Sequence, residues 1–166
     1  ITKLGFFRHD TYNDGSPYNS LVKVDDDTYA LAYRGYNQGT AGGTAWGGWI
    51  KTFTVNGGTI TQTSQLRHHT NQTYYNSLVQ ADANTYVLAY ADDVYDGWLK
   101  TFTIPANGSS ITAVASLEFA PTDAQHNSLV QLDEDTYVNA WHSSSSKGEI
   151  GTYTIPADGS TITEVT

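Results

Sequence analysis

The side chains best equipped for chemistry are five histidines, three arginines and a set of aromatic residues embedded in polar, glycine-rich segments. The first such segment, Arg34 to Gly47, holds Tyr36, Asn37, Gln38 and Trp46 around a run of small residues. Its counterparts further along carry Asp92, Asp93, Tyr95 and Asp96, then His142, four serines and Lys147. A second class of segment carries His9, Asp10, Tyr12, Asn13 and Asp14, then His68, His69, Asn71, Tyr74 and Tyr75, then Asp123, Gln125 and His126. Aromatic rings beside Asp, Asn, Arg and His suit sugar recognition: a ring packs on the apolar face of a pyranose while planar polar groups take its hydroxyls. The expected ligand-binding set is Arg34, Tyr36, Trp46, His68, Tyr74, Asp93, Tyr95, His126 and His142. Trp49 and Trp98 read as packing residues, and Tyr29, Tyr86 and Tyr137 as core.

Metal and catalytic chemistry have weaker warrants. His68-His69 with His126, or His9-Asp10, offer imidazole and carboxylate ligands, but their spacing matches no zinc signature. Asp25-Asp26-Asp27 lacks the Asp-x-Asp-x-Asp-Gly order of a calcium loop, and Asp92, Asp93 and Asp96 form a second sparse acidic group. No metal ligands or cofactors are therefore expected, with calcium as the minor alternative. There is no Gly-x-Ser-x-Gly elbow, phosphate loop or His-Glu-x-x-His. Candidate carboxylates are dispersed among repeated loops rather than gathered as a unique pair, so the chain reads as a non-enzyme. Arg8 and Arg67 occupy equivalent repeat positions, which disfavours a three-arginine carboxylate clamp.

Composition narrows the partners. The 166 residues carry 17 acidic against 8 basic side chains, a net charge of −9. That balance disfavours nucleic acid and anionic membranes, and no apolar run approaches a spanning helix. The absence of cysteine removes disulfides and thiolate sites. The chain opens on Ile1 rather than Met, which suggests a processed or excised product. Asn71-Gln72-Thr73 and Asn107-Gly108-Ser109 fit the glycosylation acceptor pattern.

The elements that position these groups are repeats. Asn19-Ser20-Leu21-Val22 recurs as Asn76-Ser77-Leu78-Val79 and Asn127-Ser128-Leu129-Val130. Each copy is followed by Thr28-Tyr29-Ala30-Leu31-Ala32-Tyr33, Thr85-Tyr86-Val87-Leu88-Ala89-Tyr90 or Thr136-Tyr137-Val138-Asn139-Ala140-Trp141. A third block reads Lys51-Thr52-Phe53-Thr54-Val55, Lys100-Thr101-Phe102-Thr103-Ile104 and Gly151-Thr152-Tyr153-Thr154-Ile155, and a fourth opens at Ile60, Ile111 and Ile162. The blocks, A to D, are short, rich in β-branched and aromatic residues and bounded by turn residues, so each predicts a strand. The expected organisation is one repeat domain over 1–166. It has a D-like strand at 1–9 and repeats at about 18–68, 75–119 and 126–166, close to the roughly 50-residue period of propeller blades.

Apolar residues on both faces of the A and B blocks call for sheets sandwiched between sheets. Ala32, Ala89 and Ala140, at one fixed position, allow close approach. The prediction is an all-β protein of three four-stranded antiparallel blades, half of a six-bladed β-propeller closing as a homodimer, with a β-trefoil as the alternative. Strand parity places the A–B and C–D turns on one face and the B–C and D–A loops, with all five histidines, on the other. The duplicated D strand leaves open how the termini are used.

This pattern resembles tandem propeller repeats of secreted proteins from aquatic microbes, and the resemblance covers essentially the whole chain. It implies the fold and an extracellular or cell-surface setting, with no assigned chemistry. Ring assembly from short chains is also similar to small propeller lectins, although none of their sugar motifs is matched. The functional expectation is a lectin-like, non-enzymatic module that binds a glycan or glycoconjugate and self-associates. The rival is a structural or adhesive unit assembling by terminal strand exchange.

Overall fold

A computed structural model describes residues 5–10, 17–36, 46–144 and 147–165. The described residues form twelve strands and no helix. The first repeat gives β1 (Ser20–Lys23), β2 (Thr28–Tyr36), β3 (Trp46–Asn56) and β4 (Thr59–His69). The second gives β5 (Tyr74–Gln80), β6 (Thr85–Ala91), β7 (Gly97–Thr103) and β8 (Thr112–Ala120). The third gives β9 (Gln125–Gln131), β10 (Thr136–Ser143), β11 (Lys147–Thr154) and β12 (Thr163–Val165). Each repeat forms its own four-stranded antiparallel meander. This is a propeller-like arrangement of sheets, and it sets aside the trefoil, whose repeats share one barrel.

Local chemistry explains why the meanders form. The A–B turns close identically: Val24, Ala81 and Leu132 each donate their N–H to the carbonyl of Thr28, Thr85 and Thr136 at 2.8 Å. The turn carbonyls of Asp27, Asn84 and Asp135 then accept from Val55, Ile104 and Ile155, each at 2.8 Å, which fixes the third strand. At the C–D turns, Gly108 and Gly159 adopt φ of 62° and 67°, a left-handed geometry that costs glycine nothing.

The sheets stack face to face. One core cluster joins Val24, Ala30, Ala32 and Ile50 of the first repeat to Leu78, Tyr86, Leu88, Tyr90, Phe102 and Ile104 of the second. A second joins Val87, Ala89 and Leu99 to Leu129, Tyr137, Trp141, Tyr153 and Ile155 of the third. Ala32 and Ala89 have no exposed surface, so a small residue there does let the sheets close. Polar clips repeat with the packing. Leu78 donates its N–H to Ser20 Oγ at 2.9 Å, and Leu129 donates to Ser77 Oγ at 3.0 Å. Thr52 and Thr101 donate their hydroxyls to the carbonyls of Gly108 and Gly159, both at 2.7 Å. The serine of the repeated Asn-Ser-Leu-Val is thus an inter-sheet link.

Residues 5–10 are not a strand, unlike the D-like strand expected over 1–9, of which 1–4 lie outside the described residues. They lie on the outward face of the first sheet, where Phe7 packs edge-on against Phe53 at 5.4 Å.

Candidate functional site

The loop edge of the stack carries a bulge in the entry strand of the second and of the third sheet. On β5, the register against β6 skips between Tyr74 and Ser77, and the β9–β10 ladder skips between Ala140 and His142. Two residues oppose one at each skip, which bends the strand and re-aims a side chain. Tyr75 and His126 sit at these skips with φ of 54° and 56°, and Tyr18, just ahead of β1, has φ of 64°. All three immediately precede the Asn of Asn-Ser-Leu-Val. A non-glycine residue in this left-handed region costs on the order of 1–3 kcal/mol, which the surrounding structure must offset.

That backbone geometry aligns the three side chains. The Tyr18 and Tyr75 rings meet at 4.8 Å, and Tyr75 meets His126 at 4.3 Å, so one ring from each repeat forms a continuous row. Tyr74 flanks the row, 5.4 Å from Tyr18 and 5.2 Å from Tyr95. Tyr95, which closes the β6–β7 loop, also has a positive φ of 69°.

Arg34, near the end of β2, is the charged hub. Its guanidinium lies 4.9 Å from the Trp46 ring, 5.2 Å from Tyr74 and 5.6 Å from Tyr18. Trp46 in turn meets Tyr36 at 5.3 Å. Arg34 Nη1 donates to Gln72 Oε1 at 3.0 Å, and the Tyr74 hydroxyl donates to the same oxygen at 2.8 Å. Flat cation and rings together make a half-buried surface with both stacking faces and planar donors. Burial is the main cause that raises the Tyr75 hydroxyl above its ordinary range, with the neighbouring Tyr18 and Tyr95 adding to it. It therefore stays a protonated phenol, donating to Gln125 Oε1 at 3.4 Å.

Of the expected ligand-binding residues, Arg34, Tyr36, Trp46, Tyr74, Tyr95 and His126 come together in this surface. His68 does not: it is buried, 7% exposed, with its ring against Tyr90 and Phe102. Its periodicity places it on the inward face of β4, so it packs between sheets instead of meeting ligand. Burial, then the nearby Lys100, holds it neutral by lowering its pKa well below the ordinary histidine value. His142 is exposed on β10, paired with Gly148 and with Gln125, the neighbour of His126. Asp93 is exposed and accepts from Asn71 Nδ2 at 3.1 Å. Asn37, Gln38, Tyr12, Asn13 and Asp14 lie outside the described residues. Sequence reasoning left out Tyr18 and gave Tyr75 no place in the binding set. The signal was available: the residue before Asn-Ser-Leu-Val is Tyr, Tyr or His in the three copies.

A second grouping brings ligand atoms of His69, Asp92 and Asp93 within 4.8 Å of one another. Asp92 already has local duties. Its Oδ1 accepts the N–H of Val94 and Asp96, both at 3.0 Å, and its Oδ2 accepts from Trp98 Nε1 at 3.1 Å. His69 Nδ1 lies 3.2 Å from the Tyr90 hydroxyl. These bonds shape the β6–β7 loop and hold Tyr95 in place. The acidic Asp133 turn is likewise satisfied locally, its Oδ1 accepting the N–H of Thr136 at 3.0 Å.

A cavity of about 290 Å³ lies elsewhere, on the outward face of the first sheet, lined by Phe7, Leu21, Tyr29, Leu31 and Phe53 among others. Its apolar walls suit packing against another sheet better than polar ligand recognition.

No family model matches the chain, and no curated protein does. Among solved structures, the chain is similar to that of Saccharomyces cerevisiae Sqt1, with a TM-score of 0.48 and 10% identity. The match covers 90% of this chain and 37% of that one.

Proposed function

We propose that this protein is a non-enzymatic carbohydrate-binding module whose loop edge holds a glycan against the Tyr18–Tyr75–His126 row. The single supporting observation is that three repeat-equivalent side chains, all held at positive φ, form one ring row. Strain concentrated at equivalent places on a variable edge is what a recognition surface needs. Stacking on Trp46, Tyr36 or Tyr74 would hold the apolar faces of sugar rings. Arg34, Gln72, the Tyr75 hydroxyl and His126 would take hydroxyls. Several related subsites across the sheets would bind an extended or branched glycan with avidity. The resemblance to secreted propeller repeats and small propeller lectins supports a setting outside the cell or at its surface for this activity.

The test is a glycan array probed with the labelled protein, in parallel with calcium and with a chelator. Binding to a defined glycan class, lost in Arg34→Ala and Trp46→Ala, is the expected result. Calcium dependence would assign His69, Asp92 and Asp93 a role in that site. No binding to any glycan under either condition would overturn the reading in favour of a structural or adhesive module, the use to which the uncovered outer sheet faces would then be put.

A further inference from the structure

The two outer faces of the stack repeat, residue for residue, the two kinds of face that meet inside it. Between the first and second sheets, Val22, Val24, Ala30, Ala32 and Ile50 meet Leu78, Tyr86, Leu88, Tyr90 and Phe102. Between the second and third, Val79, Ala81, Val87, Ala89 and Leu99 meet Leu129, Tyr137, Trp141 and Tyr153. The third sheet's outward face carries the next set of the first kind, with Val130, Leu132 and Ile150 exposed by 52%, 68% and 72%. The first sheet's outward face carries the second kind, Leu21, Tyr29, Leu31, Tyr33 and Phe53. It includes the 290 Å³ cleft and leaves Leu21 62% exposed.

Residues 5–10 show what belongs on that cleft. At the second sheet, Lys100 Nζ donates to the His68 carbonyl at 2.7 Å and the His68 ring meets Tyr90 at 5.0 Å. At the first sheet, Lys51 Nζ donates to the His9 carbonyl at 2.6 Å and the His9 ring meets Tyr33 at 4.6 Å. Phe119 and Trp141 make the matching contact at the third, 5.0 Å apart. His68 and Phe119 belong to the outer strands β4 and β8 of the preceding sheet. His9 therefore occupies the outer-strand position of a neighbouring sheet whose other strands are not among the described residues. Conversely, among the described residues the third sheet has an outer strand, β12, that pairs only with Thr152–Thr154 and leaves the rest of the β11 edge open.

We infer that a second copy of this chain supplies that neighbouring sheet: the outward face of its third sheet seats on the first sheet, and residues 5–9 pair with its open β11 edge. Trp49 faces Arg67 and Trp98 faces Glu118 in the existing ladders, so the same register sets Arg8 opposite Glu149 of the second copy. Phe7 then lies opposite Ile150, as Leu66 lies opposite Ile50 and Leu117 opposite Leu99. Two opposite charges and two exposed apolar side chains meet at once. Ser128 Oγ, exposed at the open face, would accept the Leu21 N–H of the other copy, continuing the Ser20 and Ser77 links. Two such junctions, related by a twofold axis along the ring centre, close six sheets. The outer strand of each third sheet is then composite, β12 from one chain and residues 5–9 from the other. This inference stands apart from the glycan reading, because it uses the sheet faces and not the loop edge.

The experiment is sedimentation equilibrium of the 166-residue chain across a concentration range, with variants Arg8→Glu, Glu149→Arg, their combination and Ile150→Lys. The expected mass is twice the 18.1 kDa chain. Each single charge reversal should weaken association roughly tenfold or more by setting like charges opposite each other, and the combination should restore it. Ile150→Lys should leave a folded monomer by circular dichroism, since Ile150 is exposed in the single chain. A wild-type monomer throughout, open-ended polymers, or a combined variant no better than either single would each overturn the inference.

Discussion

The two edges of the sheet stack are made from the same repeats and behave differently. On the turn edge, all three copies close with the same pair of backbone hydrogen bonds at 2.8 Å, and glycine sits where a left-handed residue is required. On the loop edge, the left-handed positions are taken by Tyr18, Tyr75, Tyr95, Asp123 and His126, and the connections differ in length and composition. One edge meets its geometric demands with the cheapest residue, and the other carries strain on side chains that glycine could replace. The difference separates what the repeat needs in order to fold from what it was free to vary.

The largest expected effect breaks the shared scaffold and tests whether both edges depend on it. Phe102→Ala removes a fully buried ring from the first sheet junction and should cost about 3–5 kcal/mol, read as a shift in urea midpoint. Leu99→Ala, at the second junction, should cost about 2–5 kcal/mol. Comparable losses at both would show that the sheets unfold as one unit. A loss confined to one would show separable blades.

Acid should act next. His9, His68 and His69 all have pKa values lowered first by burial, with Lys51 or Lys100 adding to it. A depressed folded pKa means that the unfolded chain takes up protons first as pH drops below the ordinary value of 6.5. The stability present above that pH is therefore lost on acidification, at up to about 1.4 kcal/mol per pH unit for a histidine that resists protonation fully. Denaturation at pH 7.5 and 5.5 measures this, and His68→Phe should flatten the slope. An unchanged slope would place the acid sensitivity elsewhere.

A smaller and more telling effect comes from relieving strain. His126→Gly removes an exposed side chain at φ 56° and should leave stability unchanged or raise it by about 1 kcal/mol, while glycan affinity falls. Destabilisation would mean that the ring row serves packing. The smallest effect belongs to the turn edge. Asp26→Asn breaks the exposed Lys23–Asp26 pair of 2.9 Å and should leave both the melting temperature and the calcium response unmoved.

Much of the scaffold was legible because strand repeats write themselves into residue order. Thr28, Thr85 and Thr136 mark the same turn, and alanine recurs where the sheets approach. The site was less legible for two physical reasons. A bulge at Tyr75 and a left-handed backbone at both Tyr18 and Tyr75 break the two-residue alternation, so these residues read as ordinary strand entry while their backbone turns them into the ring row. Burial of His68 depends on which sheet packs across it, which the polar segment His68-His69-Thr70-Asn71 conceals. The serine of Asn-Ser-Leu-Val gave no local sign of its role, because its partner lies in the next repeat.

The central claim is that the loop edge, through Tyr18, Arg34, Trp46, Tyr74, Tyr75 and His126, holds a carbohydrate. The most direct measurement is amide and aromatic chemical-shift mapping of the isotope-labelled protein, titrated with a glycan picked out by array binding. The account predicts saturable shifts concentrated on those residues, with the turn-edge residues Asp25, Asp82 and Asp133 still. Shifts centred on the turns or on the outer sheet faces, or none at saturating sugar, would contradict it.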